Sequence, residues 1–122
     1  MPHERTRFGT EGEEVAADYL RAKRYRVIDQ NARTVFGELD LVCLHRREVV
    51  FVEVKTRRSH AFGTPEAAVT KLKQQHLIRS AYAYLAAHPK ISKKCWRIDV
   101  VAITWGDPPE IIHIVAAVGD DM

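Results

Sequence analysis

Apolar residues between Leu39 and Val54 are nearly continuous on either side of a polar break. They form two short runs, Glu38–Leu44 and Val49–Lys55, joined by His45-Arg46-Arg47-Glu48. Two short apolar runs on either side of a tight turn predict a β-hairpin. If it turns about Arg46-Arg47, Asp40 faces Glu53 and Glu38 faces Lys55. Side chains alternate faces along a strand, so these four share one side with Val42, Leu44, Val49 and Phe51. The other side then carries Leu39, Leu41, Cys43, Val50, Val52 and Val54.

Helical spacing marks two further segments. Val15, Ala16, Tyr19 and Leu20 recur on one face of a helix ending near Lys23, and Thr10-x-x-Glu13 reads as the capping box that opens it. Residues 1–9 read as a polar arm. Thr64 as N-cap with Pro65 in the first turn predicts a second, long helix that ends near His88-Pro89. Arg26–Ala32 alternates weakly as a strand. Arg97–Thr104 is a β-branched strand, Gly106-Asp107-Pro108-Pro109 a turn, Ile111–Val118 the last strand, and 119–122 a frayed tail. Thr56–Gly63 is a loop bearing Arg57, Arg58 and His60. The order α-β-β-β-α-β-β predicts one α/β domain over residues 1–122, a mixed sheet of about five strands with helices packed on it.

Composition narrows the function classes only a little. The chain has 122 residues and a formal net charge of +3, a mild basic bias that permits a nucleic-acid partner without requiring one. Met1–Arg5 contains no apolar run, and no segment approaches the length of a membrane span, so a cytoplasmic protein without a membrane partner is expected. Cys43 and Cys95 are far apart; Cys43 falls on an apolar strand face and reads as a buried thiol in a reducing compartment. The six histidines show no zinc-ligand spacing.

The hairpin concentrates the chemistry. Two carboxylates directly across a strand pair repel each other, and a divalent cation between them is the commonest reason to keep Asp40 opposite Glu53. The alternative is a wet strand end closed by a Glu38–Lys55 ion pair. Glu13 either completes the capping box or reaches the core side of its helix with Ala16, Ala17 and Leu20, whereas Glu14 groups with Asp18 and Arg21 on a wet face. On the second helix, Lys71 and Gln74 continue the apolar seam and Lys73 flanks it. Any of these could reach a phosphate near the sheet or form a solvated first turn. Asp99, inside Arg97-Ile98-Asp99-Val100-Val101, is expected to pair structurally with a base such as Arg97.

At these residues the chain resembles the PD-(D/E)xK nuclease superfamily, the restriction endonuclease-like fold shared with Holliday-junction resolvases. The signature is an acidic residue near one strand's end and (D/E)-x-K on the next, here Asp40 and Glu53-Val54-Lys55; Leu39 stands where the motif name has proline. More closely it resembles the small bacterial YraN-like family. The matching pieces are Gly9-x-x-Gly12-Glu13 with Ala16, Asn31-x-Arg33, Gly37-Glu38-Leu39-Asp40, Phe51–Arg57, Phe62-Gly63, Thr70-x-x-Lys73 and Arg97–Val101. They cover nearly the whole chain in order.

The resemblance implies a metal-dependent endonuclease acting on structured or branched DNA during repair or recombination. Asp40, Glu53 and the backbone carbonyl of Val54 would hold Mg²⁺ or Mn²⁺. Glu13 would be the acidic residue of the first helix, Lys55 would contact water or the scissile phosphate, and Lys73 would be a supporting base. Arg33, Arg57 and Arg58, with Arg46-Arg47, form a candidate set of sequence-independent phosphate contacts. Resolvase-like relatives cut as symmetric pairs, which leaves a homodimer open here; the sequence offers no clear dimer helix, and Val115–Val118 at an edge is a candidate surface. A partner-dependent nucleic-acid-binding module without catalysis, and an RNA nuclease, are the alternatives, because fold alone does not give function.

Overall fold

A computed structural model describes residues 7–59 and 63–119. The elements are α1 (Arg7–Ala22), β1 (Arg26–Thr34), β2 (Gly37–His45), β3 (Glu48–Arg57), α2 (Lys71–Ala87), β4 (Cys95–Thr104) and β5 (Glu110–Val118), with a single 3₁₀ turn at Glu66–Ala68. The predicted α-β-β-β-α-β-β order is the observed one. The five strands lie in chain order in one sheet. All neighbours are antiparallel except β3 and β4, which are parallel and joined through α2. A parallel pair cannot be closed by a hairpin, and the long helical crossover follows from that.

Each face of the sheet is covered by one helix. Ala16, Ala17 and Leu20 of α1 bury Leu41, Cys43, Val50, Val52, Val101 and Ile103. Leu77, Ala81, Tyr84 and Leu85 of α2 bury Leu39, Val42, Val49, Phe51, Ile98 and Val100. The central strands are therefore apolar on both faces, and Phe51 is wholly enclosed.

Four local expectations need correction. α1 starts at Arg7, so Thr10 lies inside the helix and does not cap it. Gly9 is the one poor helix former before Thr10, and a helix tolerates it at about 1 kcal/mol. The second helix starts later than expected. Thr64 accepts the Ala67 N–H (3.3 Å) and closes only the 3₁₀ turn, while Thr70 accepts the Lys73 N–H (3.2 Å) and caps α2. Leu39 joins the α2-side core with Val42, not the opposite side with Leu41. The pleat thus changes face at Asp40, opposite the stretch of β1 where Asn31 takes φ +55°. Asparagine tolerates that left-handed backbone better than most residues. Finally, β2–β3 pairing follows the expected register from His45↔Glu48 to Leu41↔Val52 but ends there, before Asp40 and Glu53.

Candidate active site

The end of the β2–β3 ladder makes the site. Past the last pair, Asp40 Oδ2 accepts the Val54 N–H at 2.8 Å, so a carboxylate stands where a strand carbonyl would. An extended residue directs its N–H and C=O to the same edge. The Val54 carbonyl therefore also leaves β3 on the side of Asp40. Glu38 is paired with Arg33 on β1, their charged groups 3.9 Å apart, rather than continuing the β3 ladder toward Lys55.

Glu53 is 3% exposed. Lys55 Nζ lies 3.5 Å and Lys73 Nζ 3.6 Å from the same oxygen, Oε2. Its other oxygen, Oε1, is buried and has no hydrogen-bond partner among the described residues. Both lysines are about one-third exposed, so the cluster opens to solvent on its ammonium side. Lys73 is held there by the Thr70 cap. Its place is electrostatically costly for the helix: α2 has Lys71 and Lys73 and no acid in its first turn, where the helix dipole favours negative charge. Anions brought to that end, Glu53 or a phosphate, offset this.

Glu13 is buried on α1 beside Gly12, Ala16 and Ala17, which is the core-side alternative and not the capping one. Glu14, Asp18 and Arg21 are exposed, with Arg21 and Asp18 paired at 3.3 Å. Gly12 seats α1 on β3: a Cβ there would fall 2.2 Å from Thr56 Cγ2. Glu13 thus approaches the end of β3 from the helical layer opposite Lys73. A glycine inside an amphipathic helix is the sequence signal of such close packing.

The expected phosphate contacts divide. Arg33 and Arg58 are exposed near this end of the sheet. Arg57 is engaged by its own fold, donating from Nε to Thr104 Oγ1 (3.0 Å) and from its guanidinium to the Gly63 carbonyl. Arg46 and Arg47 stand apart from the others. They form the turn closed by His45↔Glu48, about 20 Å along β2 from Asp40 at strand rise. His60 and Phe62 lie outside the described residues, as do 1–6 and 120–122.

Asp99 pairs structurally with Arg97, as expected, and has two further partners, His113 and the Ala116 N–H, that were not legible. It is fully buried and accepts from Arg97 Nε (2.9 Å), His113 Nε2 (2.8 Å) and the Ala116 N–H (2.9 Å). Burial pushes its pKa up, and the hydrogen bonds from His113, Arg97 and Ala116 outweigh this and hold it below the usual carboxylate value. Arg97 is also bonded to Glu48 and to the Tyr25 hydroxyl. His113 comes from β5, where a register shift beside Asp99 sets the pairing.

Among the described residues no group of three or more His, Cys, Asp or Glu side chains forms a ready-made metal cage. Mg²⁺ does not need one, since it keeps several waters and uses one or two carboxylates. The buried, unpartnered Oε1 of Glu53 and the adjacent strand-end oxygens are of the right chemical kind. No helix of the described residues is long and apolar enough to cross a membrane.

The chain is similar to a series of bacterial proteins along its length. A 42% identical UPF0102 protein of Syntrophotalea carbinolica aligns over 96% of this chain and 95% of its own. One of Syntrophomonas wolfei is 47% identical over 89% of this chain and 95% of its own. One of Chloroflexus aurantiacus is 44% identical over 99% and 100%. The model of the uncharacterised protein family UPF0102 matches residues 12–103, a stretch that holds Glu13, Asp40, Glu53, Lys55 and Lys73, and the chain belongs to that family.

Proposed function

We propose that the protein is a divalent-cation-dependent endonuclease that hydrolyses phosphodiester bonds in structured or branched DNA, in repair or recombination. The observation that carries this is Glu53, a buried carboxylate with two ammonium groups on Oε2 and an unpartnered Oε1. A buried acceptor left unsatisfied costs about 1–3 kcal/mol. A hard cation is a fitting partner for it. Asp40 and Glu53 would hold Mg²⁺ or Mn²⁺, with the Val54 carbonyl as a third oxygen. Bound there, the cation would offset phosphodiester charge and make a coordinated water more acidic.

The chain's own groups supply the rest. Val54 N–H fixes Asp40, so one carboxylate is oriented before anything binds. Lys55 donates to a water or a non-bridging phosphate oxygen, and its partial exposure lets a backbone approach. Lys73 adds a second positive charge from the helix side. Glu13 is the acidic group from the α1 layer, and Arg33 and Arg58 contact flanking phosphates.

The test is a cleavage panel of labelled four-way junction, flap, duplex, single-stranded DNA and RNA with Mg²⁺ or Mn²⁺. Lys55→Ala and Glu53→Gln, purified in parallel, control for contaminating nuclease. Cation-dependent cutting of branched DNA by the wild-type protein alone is expected. No cutting of any substrate would overturn the proposal in favour of a non-catalytic, partner-dependent nucleic-acid-binding module. Cutting of RNA alone would make it an RNA nuclease.

A further inference from the structure

The β1–β2 hairpin carries a feature that the cation site does not require. Thr34 pairs with Gly37, which makes Val35 and Phe36 the two turn residues. Tight turns favour glycine, asparagine and aspartate. Here both positions are apolar and exposed, Val35 at 90% and Phe36 at 42%. The tip is firmly braced. Thr34 Oγ1 donates to the Gly37 carbonyl (2.8 Å), accepts the Phe36 N–H (3.1 Å) and hydrogen-bonds Ser80 Oγ (2.9 Å). Ser80 is buried on α2, so the knob is tied to a helix. Gly37 takes φ +142°, a conformation that holds the turn and suits glycine alone.

The surroundings are cationic. The Arg79 guanidinium lies 6.0 Å from the Phe36 ring centroid. α2 contributes Lys71, Lys73 and Arg79 and no carboxylate. Leu72, also exposed, precedes Arg79 by two helical turns and shares its face. Arg33, next to Thr34, is 83% exposed at its side chain; Glu38 is its acidic neighbour at 3.9 Å. Charge complementarity argues the occupant: an apolar knob beside Arg79, on a helix with lysines and no carboxylate, suits a nucleobase flanked by its phosphates. The tip stands at the same end of the sheet as the site. Phe36 precedes Asp40 by four residues of strand, about 13 Å.

We propose that Val35 and Phe36 form a wedge that stacks on an unpaired base at a branch point in DNA. Arg79 and Arg33 hold the adjoining phosphates, and the continuing backbone is led toward Glu53 and Lys55. The proposal deepens the endonuclease reading and rests on it for where the cut falls; base stacking itself does not need catalysis.

The experiment measures binding of a fluorescent flap DNA and a blunt duplex of equal length, in Ca²⁺, by wild type, Phe36→Ala, Val35→Ser and Phe36→Tyr. Wild type should prefer the flap. Phe36→Ala should weaken flap binding about 5- to 150-fold, the range for one lost base–aromatic stack, with duplex binding held within about twofold. Val35→Ser should act in the same direction, and Phe36→Tyr, which keeps the ring, should behave as wild type. Unfolding curves of the same preparations show whether each variant is folded. No flap preference in wild type, an equal loss on both DNAs, or an unchanged Phe36→Ala would each overturn the wedge. A change of oligomeric state in place of DNA affinity would make the tip a contact between copies and overturn it too. Cutting of both the flap and the duplex in Mg²⁺ is scored alongside. Cutting that survives Phe36→Ala with no flap effect refutes the wedge and leaves the nuclease standing; a Phe36-dependent flap preference with no cutting does the reverse.

Discussion

Replacing Gly12 with alanine tests how α1 is seated on the site strand. The added Cβ would lie 2.2 Å from Thr56 Cγ2, 3.6 Å from Thr56 Cβ and 3.9 Å from the Trp105 ring. Carbon atoms in good contact are about 3.5–4.0 Å apart, so only the methyl contact is impossible. Thr56 cannot yield easily, because its χ1 is stiff and its backbone is paired with Ile103 of β4. Overpacking of this kind costs about 1–3 kcal/mol, while alanine gains about 1 kcal/mol of helix propensity over glycine. Gly12→Ala should therefore destabilise by about 1 kcal/mol in urea unfolding, and slow any cutting because Glu13 moves with the helix. Serine at Thr56 removes Cγ2 and keeps the hydroxyl. In a Thr56→Ser background Gly12→Ala should change sign and stabilise by up to about 1 kcal/mol, a coupling of about 2 kcal/mol that a double-mutant cycle resolves. Equal effects of Gly12→Ala in both backgrounds would refute the contact.

Other substitutions separate structure from chemistry. Asp40→Ala leaves the Val54 N–H without its acceptor and should cost about 1–3 kcal/mol in unfolding free energy, whereas Asp40→Asn keeps an acceptor and should cost less, while weakening the proposed cation site as much. Asp99→Asn leaves Arg97 without its buried counter-charge and should cost about 3 kcal/mol by the same assay. Because folding lowers the Asp99 pKa, its contribution is present in full above the ordinary carboxylate pKa and fades as pH falls through the lowered folded value. The acid limb of the stability profile, measured below about pH 4, should accordingly be flatter in Asp99→Asn. Burial pushes the Cys43 thiol up to about 12, and Cys95 is exposed, so a thiol reagent at pH 8 should label Cys95 in the native protein and both cysteines only after denaturation.

Strand alternation made most of the fold legible. The β2–β3 turn and the register from His45 to Leu41 follow from two short apolar runs about one turn, and the continuity of the second run gives β3 its two apolar faces. The ladder's end could not be read this way, because Asp40 replaces a main-chain partner with its own side chain. The same switch sent Leu39 to the unexpected core. Thr64 and Thr70 carry equivalent capping chemistry, and only packing decides which one opens the long helix. Of the candidate site, Lys55 and Lys73 meet at the Glu53 carboxylate; helical spacing put Lys73 among three polar candidates on the second helix, and the family resemblance singled it out. Arg46 and Arg47 lie at the turn, the opposite end of β2 from Asp40, because the hairpin runs away from the carboxylates. His113 was missed because its approach to Asp99 depends on a register shift between β4 and β5.

The most direct measurement is a Mn²⁺ titration of the DNA-free protein by calorimetry, with Asp40→Asn and Glu53→Gln titrated in parallel and each checked for folding. A site completed by the unpartnered Glu53 oxygen should bind Mn²⁺ in the wild-type protein, with thermal stability rising with cation concentration, and each variant should lose most of that affinity. Wild-type protein that binds no Mn²⁺, or Glu53→Gln that binds it equally well, would contradict a cation site at the end of β2 and β3.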